Sequence, residues 1–276
     1  MDDPTTWPEA VYLPGDRTRL RRAVRDLWSF REVAWSFGMR RIRARYKQAV
    51  FGFLWAIIQP LAFLGLFLTF LAPDSDDGAF AAGTFAALVS WQFVNSAVSG
   101  GGPSLLAEAG LLRKVYFPRE CVVIGAVGSF LPDLALNLVF LSVLGPILGG
   151  HLSWYWLLIP VIAVQVVLTA YAVALPLAAL TVYYRDFLYA LPFLVQVWFF
   201  ATPVAYTLSR VDESKQWIYA IVNPMVGPAS SFRSIVAYGD APEWRLLAAS
   251  GATTALMLIG GYRWFKSLER EFAEAV

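Results

Sequence analysis

Asp133 and Asn137 stand one helical turn apart in SFLPDLALNLVF, inside an apolar stretch that runs over residues 121–148. A carboxylate near the middle of such a stretch is costly in a bilayer and must face the protein interior or water. Two roles fit it. Asp133 serves a transport pathway or its coupling, or it is a hydrogen-bond knot that holds helices together, and the knot is the simpler reading. Pro132 just before it removes a backbone donor, which frees carbonyls for a neighbouring side chain. Other reactive groups are few. The single cysteine, Cys121, excludes an intrachain disulfide or a cysteine metal cluster, and reads as a small apolar residue at a helix start. The lone His151 lies in a Gly-Gly-His loop and reads as solvated. No segment fits G-x-x-x-x-G-K-[ST], HExxH, GxSxG or CxxC. No acid–base pair gathers in the loops either. The expectation is a chain with no catalytic residues, no metal and no cofactor of its own.

The elements that position these residues are membrane spans. Hydrophobic residues make up 58% of the chain and charged residues 15%, against roughly 25% charged in soluble domains. The first apolar stretch, residues 51–72, carries no charge. As a helix of about 22 residues it covers a hydrocarbon core of roughly 30 Å. Further stretches follow at 79–98, 121–148, 154–181, 187–206 and 246–265. The expected fold is therefore an all-α integral membrane protein with six transmembrane helices and both termini on one side. No apolar signal region precedes the first span, so that span is expected to be retained.

Charge sets the orientation. The block RRIRARYK at 40–47 runs straight into the first span. With six spans, only Arg210, Lys215, Arg233 and Arg245 of the 22 lysines and arginines fall outside, and the other 18 fall inside. That bias predicts an N-in, C-in topology. The basic block serves this rule, or it attracts an anionic substrate group at the cytoplasmic leaflet.

Three segments do not span. Residues 19–38 carry Leu20, Val24, Leu27, Trp28 and Val33 among arginines. This spacing predicts an amphipathic interface helix at the lipid headgroups, or a cytosolic helix packed on a partner. Residues 105–120 form the longest loop on the inner side. Residues 207–245 lie outside, and their apolar run from Trp217 to Val222 is too short to span, which predicts re-entrant or interfacial helices.

Aromatic residues are frequent in the spans. Most of them serve lipid contact and packing. Some also suit a path for sugars, because pyranose rings present apolar C–H faces that stack on aromatic rings. Phe63, Trp91 and Trp198, from the first, second and fifth spans, are the candidates for such a channel.

Three segments carry a resemblance: ARYKQAVFGFLWAIIQPL at 44–61, LLRKVYFPRE at 111–120 and YYRDFLYALPFLVQVWFFATPVAY at 183–206. Together they resemble the ABC-2 type permeases, and within them the subgroup that exports polysaccharides and polyol phosphates (O-antigen, capsule, teichoic acid). The NPM at 223–225 and the SLEREFA tail fit the same group. The resemblance covers nearly the whole chain from about Asp26. It implies a homodimer in the cytoplasmic (inner) membrane with two separate ABC ATPase subunits that bind ATP and Mg. Membrane lipids and a lipid-linked glycan are the other implied partners, with no nucleic acid.

By position, the resemblance gives ATPase coupling to Arg113, Lys114, Val115, Tyr116, Phe117, Pro118, Arg119 and Glu120, and a second short contact to Arg185 and Asp186. It assigns 1–50 to a cytoplasmic segment with the interface helix, 51–265 to the transmembrane domain with outer gate helices, and 266–276 to a cytoplasmic tail. The short acidic first outer loop, PDSDDG at 73–78, departs from the pattern. The alternatives are an ABC-2 exporter of a drug or lipid, and a membrane-embedded glycosyl or phosphoglycosyl transferase.

Overall fold

The computed structural model of the chain describes residues 27–47, 54–70, 78–112, 114, 117–208 and 211–269. Every regular element among them is helical. Each of the six apolar stretches yields helix. The first gives α2 (Leu54–Phe70), after an N-terminal α1 (Arg31–Tyr46), and the second gives α3 (Gly78–Gly101). Two short helices, α4 (Ser104–Ala107) and α5 (Ala109–Leu112), follow. The third stretch holds two helices, α6 (Glu120–Gly128) and α7 (Leu131–Ile147). The fourth and fifth give α8 (Ile159–Tyr183) and α9 (Phe187–Phe200). After α10 (Glu213–Val222) and α11 (Val226–Arg233), the sixth gives α12 (Trp244–Leu268). Among the described residues, Glu120–Ile147 and Trp154–Tyr183 are long and apolar enough to cross a bilayer by themselves, while α2 and α9 are apolar but shorter.

The axis of the molecule is α3. Its Ala82, Ala86, Ala87, Ser90 and Ala97 are fully buried, because small side chains let neighbouring helices approach closely. Helices α8, α11, α7, α2 and α6 all pack on it. Helix α12 closes the far side against α8. Hydroxyls and an amide join these two: Thr169 and Thr254 share a hydrogen bond of 2.8 Å, and Gln165 Nε2 donates to Ser250 Oγ at 3.0 Å. Inside a bilayer each such bond is worth about 0.6 kcal/mol.

Three expectations change in detail. Of the helix expected over 19–38, the described part holds a helical turn at 27–29 and α1 over Arg31–Tyr46, which continues past 38 into the basic block. Leu20 and Val24 lie outside the described residues. This helix buries Ala34, Phe37 and Gly38 against α6, while Trp28 and Trp35 stay exposed. The fifth stretch stops being helical at Phe200, where Pro203 lacks the donor needed to continue. Its 14 helical residues rise about 21 Å, less than a hydrocarbon core. Arg233, expected as an outer loop charge, is only 7% exposed. It lies along Gly83 of α3, where an added Cβ would come within 2.7 Å of its Cγ. Its Nη2 donates to the Val204 carbonyl at 2.6 Å.

The segment expected to lie outside forms a helical hairpin among its described residues. α11 is buried along its whole length, and α10 packs on α12 with Trp217, Ile218, Ile221 and Val222 facing outward. Asn223 turns the chain between them. Its amide donates to the Ala201 carbonyl at 2.7 Å and to Thr202 Oγ1 at 3.1 Å, and its Oδ1 accepts from the Met225 N–H and Trp198 Nε1. The Asn of the NPM motif thus ties the end of α9 to the hairpin.

Candidate functional site

At one end of the bundle, the two segments expected to contact an ATPase meet the same feature, the last turn of α12. Glu120 opens α6 and is 1% exposed. A charge so placed needs partners, and it has them: Lys266 Nζ at 2.8 Å and the Tyr262 hydroxyl at 3.1 Å. Lys266 also bonds Glu269 at 2.8 Å. The Arg119 backbone N–H donates to the Glu269 carboxylate at 3.3 Å, and its guanidinium reaches the Glu269 carbonyl. From the second segment, the Tyr183 hydroxyl donates to the Leu268 carbonyl at 3.1 Å. Next to it Arg185 and Asp186 form an exposed turn before α9.

Within the first segment the side chains divide. Lys114 is exposed, whereas Phe117 is buried, its ring 5.4 Å from that of Phe37 on α1. Pro118 and Arg119 are half-buried. Arg113, Val115 and Tyr116 lie outside the described residues. Helix α1 is also held to the short helices after α3. Glu108 pairs with Arg40 and lies 4.0 Å from Arg41, whose guanidinium donates to the Gly100 carbonyl at 3.3 Å. Burial pushes the Arg41 pKa down and Glu108 opposes the shift, so the guanidinium remains a cation.

A second constellation forms where α6 gives way to α7. Pro132 sits in the first turn of α7, and the helix breaks at Ser129 and Phe130. The last turn of α1 fills the break. Arg45 Nη1 lies 2.9 Å from the Asp133 carboxylate and 3.4 Å from the Ser129 carbonyl, and its Nη2 bonds Ser129 Oγ at 3.1 Å. The guanidinium carbon stands 3.7 Å over the centre of the Phe130 ring. The Tyr46 hydroxyl donates to the other Asp133 oxygen. Burial and that bond push the Tyr46 pKa up to about 12, so the phenol keeps its proton. Asn137, one turn on, donates to the Asp133 carbonyl at 2.9 Å. Asp133 thus ties the end of α1 to α7. Arg45 was the missing partner. Its type was visible in the sequence, but it lies 88 positions away.

The three aromatic candidates come together. Trp91 and Trp198 meet edge to face with ring centres 5.3 Å apart, and Phe199 lies 5.4 Å from Trp91 and 6.3 Å from Phe63. Phe67 stacks on Phe199 at 6.0 Å. Their surroundings differ. Phe63 is 44% exposed and Trp91 is 4% exposed, while the indole of Trp198 is fixed by its bond to Asn223 at 2.9 Å.

The apolar helical bundle is that of a membrane protein of the transporter class, as its family match shows. The chain belongs to the ABC-2 type transporter family, whose model matches residues 32–237. It is 31% identical over 260 residues to the O-antigen export system permease protein RfbA of Myxococcus xanthus, covering 92% of this chain and 99% of that one. It is 27% identical to an O-antigen export system permease protein RfbA of Klebsiella pneumoniae, over 84% of this chain and 90% of that one.

Proposed function

We propose that this chain is the transmembrane permease subunit of an ATP-driven exporter that moves lipid-linked polysaccharide, of O-antigen, capsule or teichoic-acid type, out across the cytoplasmic membrane. The observation that carries this reading is the convergence of the 111–120 and 183–186 segments on the last turn of α12. Force applied to either segment reaches a helix of 25 residues and, through α8 and α3, the whole bundle. The working unit is a homodimer of six-span, N-in, C-in subunits with two ABC ATPases, which bind the ATP and Mg. Lys114, Arg185 and Asp186 make the exposed contacts to the ATPase, with Arg113, Val115 and Tyr116 beside them. Phe117, Pro118, Arg119 and Glu120 transmit them inward. Phe63, Trp91 and Trp198 mark the glycan path, and α10 and α11 gate its outer end.

Nucleotide binding in the ATPase shifts the dimer between states only through contacts that differ between those states. The test is depletion of the chain in its source cell. Lipid-linked glycan should accumulate in the inner leaflet while surface glycan falls, and the permease should copurify with an ABC ATPase. Unchanged surface glycan on depletion refutes the reading.

A further inference from the structure

The break between α6 and α7 borders a half-enclosed cavity of about 260 Å³, walled by α1, α2, α3 and α7. We propose that it is a subsite for one neutral sugar ring of the transported glycan. The proposal rests on the glycan-export reading above.

The chemistry of the lining decides between a sugar and a phosphate. Among the described lining residues Arg45 is the one cation, and it is committed: its guanidinium already serves Asp133, the Ser129 carbonyl and Ser129 Oγ. Beside it stands the Asp133 carboxylate, which would repel a phosphate. What remains is neutral. Gln92 Nε2 donates to Gln59 Oε1 at 2.5 Å, which leaves one amide donor side on Gln59 and one acceptor on Gln92. Ser96 adds a hydroxyl. Asn137 also lines the cavity; it is 3% exposed, and its buried Oδ1 has no hydrogen-bond partner among the described residues.

An orphan acceptor of that kind costs about 1–3 kcal/mol unless something donates to it. A phosphodiester or a diester pyrophosphate cannot, since it carries no P–OH at neutral pH, whereas a sugar hydroxyl both donates and accepts. The open aromatic wall is Trp55, 51% exposed, which suits the apolar face of a pyranose; one face of Phe130 is already covered by Arg45. The volume lies just below the roughly 300–1,000 Å³ of sites for drug-sized ligands, which leaves room for a single ring.

The test uses the permease assembled with its ATPase in lipid nanodiscs. The probe is the neutral oligosaccharide mixture released by mild acid from the source cell's own surface polysaccharide. Binding is read by saturation-transfer difference NMR, with inorganic pyrophosphate as competitor. Wild type should transfer saturation to sugar protons in a manner insensitive to pyrophosphate. Gln59→Ala, at an exposed position, and Asn137→Leu should each weaken the signal roughly five-fold, the loss of about one hydrogen bond. Leu256→Ala, on the exposed face of α12, should not change it. Equal signals in wild type and both pocket variants, or displacement by pyrophosphate, overturn the proposal. Gln59→Ala keeps the test valid if Asn137→Leu fails to fold. In cells the two readings separate. If deletion of the chain abolishes surface glycan while Gln59→Ala and Asn137→Leu export normally, the subsite is wrong and the exporter stands. If deletion leaves surface glycan intact, the exporter itself is wrong.

Discussion

Arg45 Nη1 lies 2.9 Å from the carboxylate of Asp133. This one pair closes the end of α1 onto the point where the third apolar stretch is broken. It explains why an aspartate is tolerated there. The carboxylate is met by a guanidinium and a phenol from outside the stretch, and is not left in lipid. It also makes α1 part of the bundle, held at its middle by Phe37 on Phe117 and by Gly38 on Gly125.

Asp133→Leu should therefore destabilise the protein. The variant leaves Arg45 and Tyr46 half-satisfied, and bonds to charged groups are worth about 1.5–3 kcal/mol. The Arg45 and Asp133 side chains are 31% and 19% exposed, so the lower end of that range applies. Thermal unfolding in detergent should show a lower midpoint, partly restored by the exchange Asp133→Arg with Arg45→Asp. A Leu variant that melts and exports like wild type would remove the knot from the account.

Gly125 is the tightest point of the α1–α6 contact. A Cβ there would fall 2.7 Å from the Ala34 carbonyl oxygen and 2.9 Å from the Gly38 nitrogen, both backbone atoms that cannot rotate away. Gly125→Val should push α1 off the bundle, at the roughly 1–3 kcal/mol typical of overpacking, and should raise protease cleavage within α1. Cleavage at the wild-type rate would show that α1 is not seated as described.

Much of this was legible in the sequence. Apolar stretches report helices because a bilayer demands that backbone groups be satisfied internally, and each of the six stretches yielded helix. Pro132 announced the break, since its missing donor acts locally. The spans alone point to Phe63, Trp91 and Trp198, but Phe199, which links them, shows itself only in the packing. What stayed hidden were pairings across long separations: Glu120 with Lys266, Arg45 with Asp133, and Asn223 with Trp198. The residue types were plain, but only the packing of α12, α1 and the outer hairpin brings them within 3 Å or so. Hidden too was the orientation of Phe117, one of the coupling residues the resemblance implies: its ring turns inward onto Phe37.

That inward turn separates two roles within one segment. Phe117→Ala should act on stability, with a cost of about 3–5 kcal/mol for a buried phenylalanine, and should lower the unfolding midpoint of the isolated permease. Lys114→Glu should leave that midpoint unchanged and reduce recovery of the ATPase on copurification, because an exposed lysine contributes to docking and not to the core. The reverse pattern would exchange their roles.

The permease purified free of its partner should neither bind nor hydrolyse ATP. No phosphate-cradling loop occurs in its 276 residues. Turnover should appear only when the ATPase is added, and should be lost again on its removal. Steady hydrolysis by the isolated chain, unaffected by antibody depletion of ABC ATPases, would count against a pure transport subunit.

The last prediction concerns the aromatic cluster, whose members should not respond alike. Phe63 is 44% exposed and can offer a ring face to a passing sugar. Phe63→Ala should therefore reduce surface glycan at equal protein levels with little change in melting, and Phe63→Leu should not restore it, since a branched alkyl group lacks a flat face. Trp91 is 4% exposed and is wedged between Trp198 and Phe199. An edge-to-face pair adds about 0.5–1.5 kcal/mol beyond burial, so Trp91→Ala should lower stability first and export as a consequence, with Leu rescuing both in part. Trp198 lies between these cases. Trp198→Phe keeps the ring and loses the bond to Asn223, which loosens the tie between α9 and the outer hairpin. Export should fall while the unfolding midpoint drops only slightly, by the worth of one hydrogen bond, about 1 kcal/mol. If Leu rescues Phe63 as well as it rescues Trp91, all three rings are packing residues and the glycan path runs elsewhere.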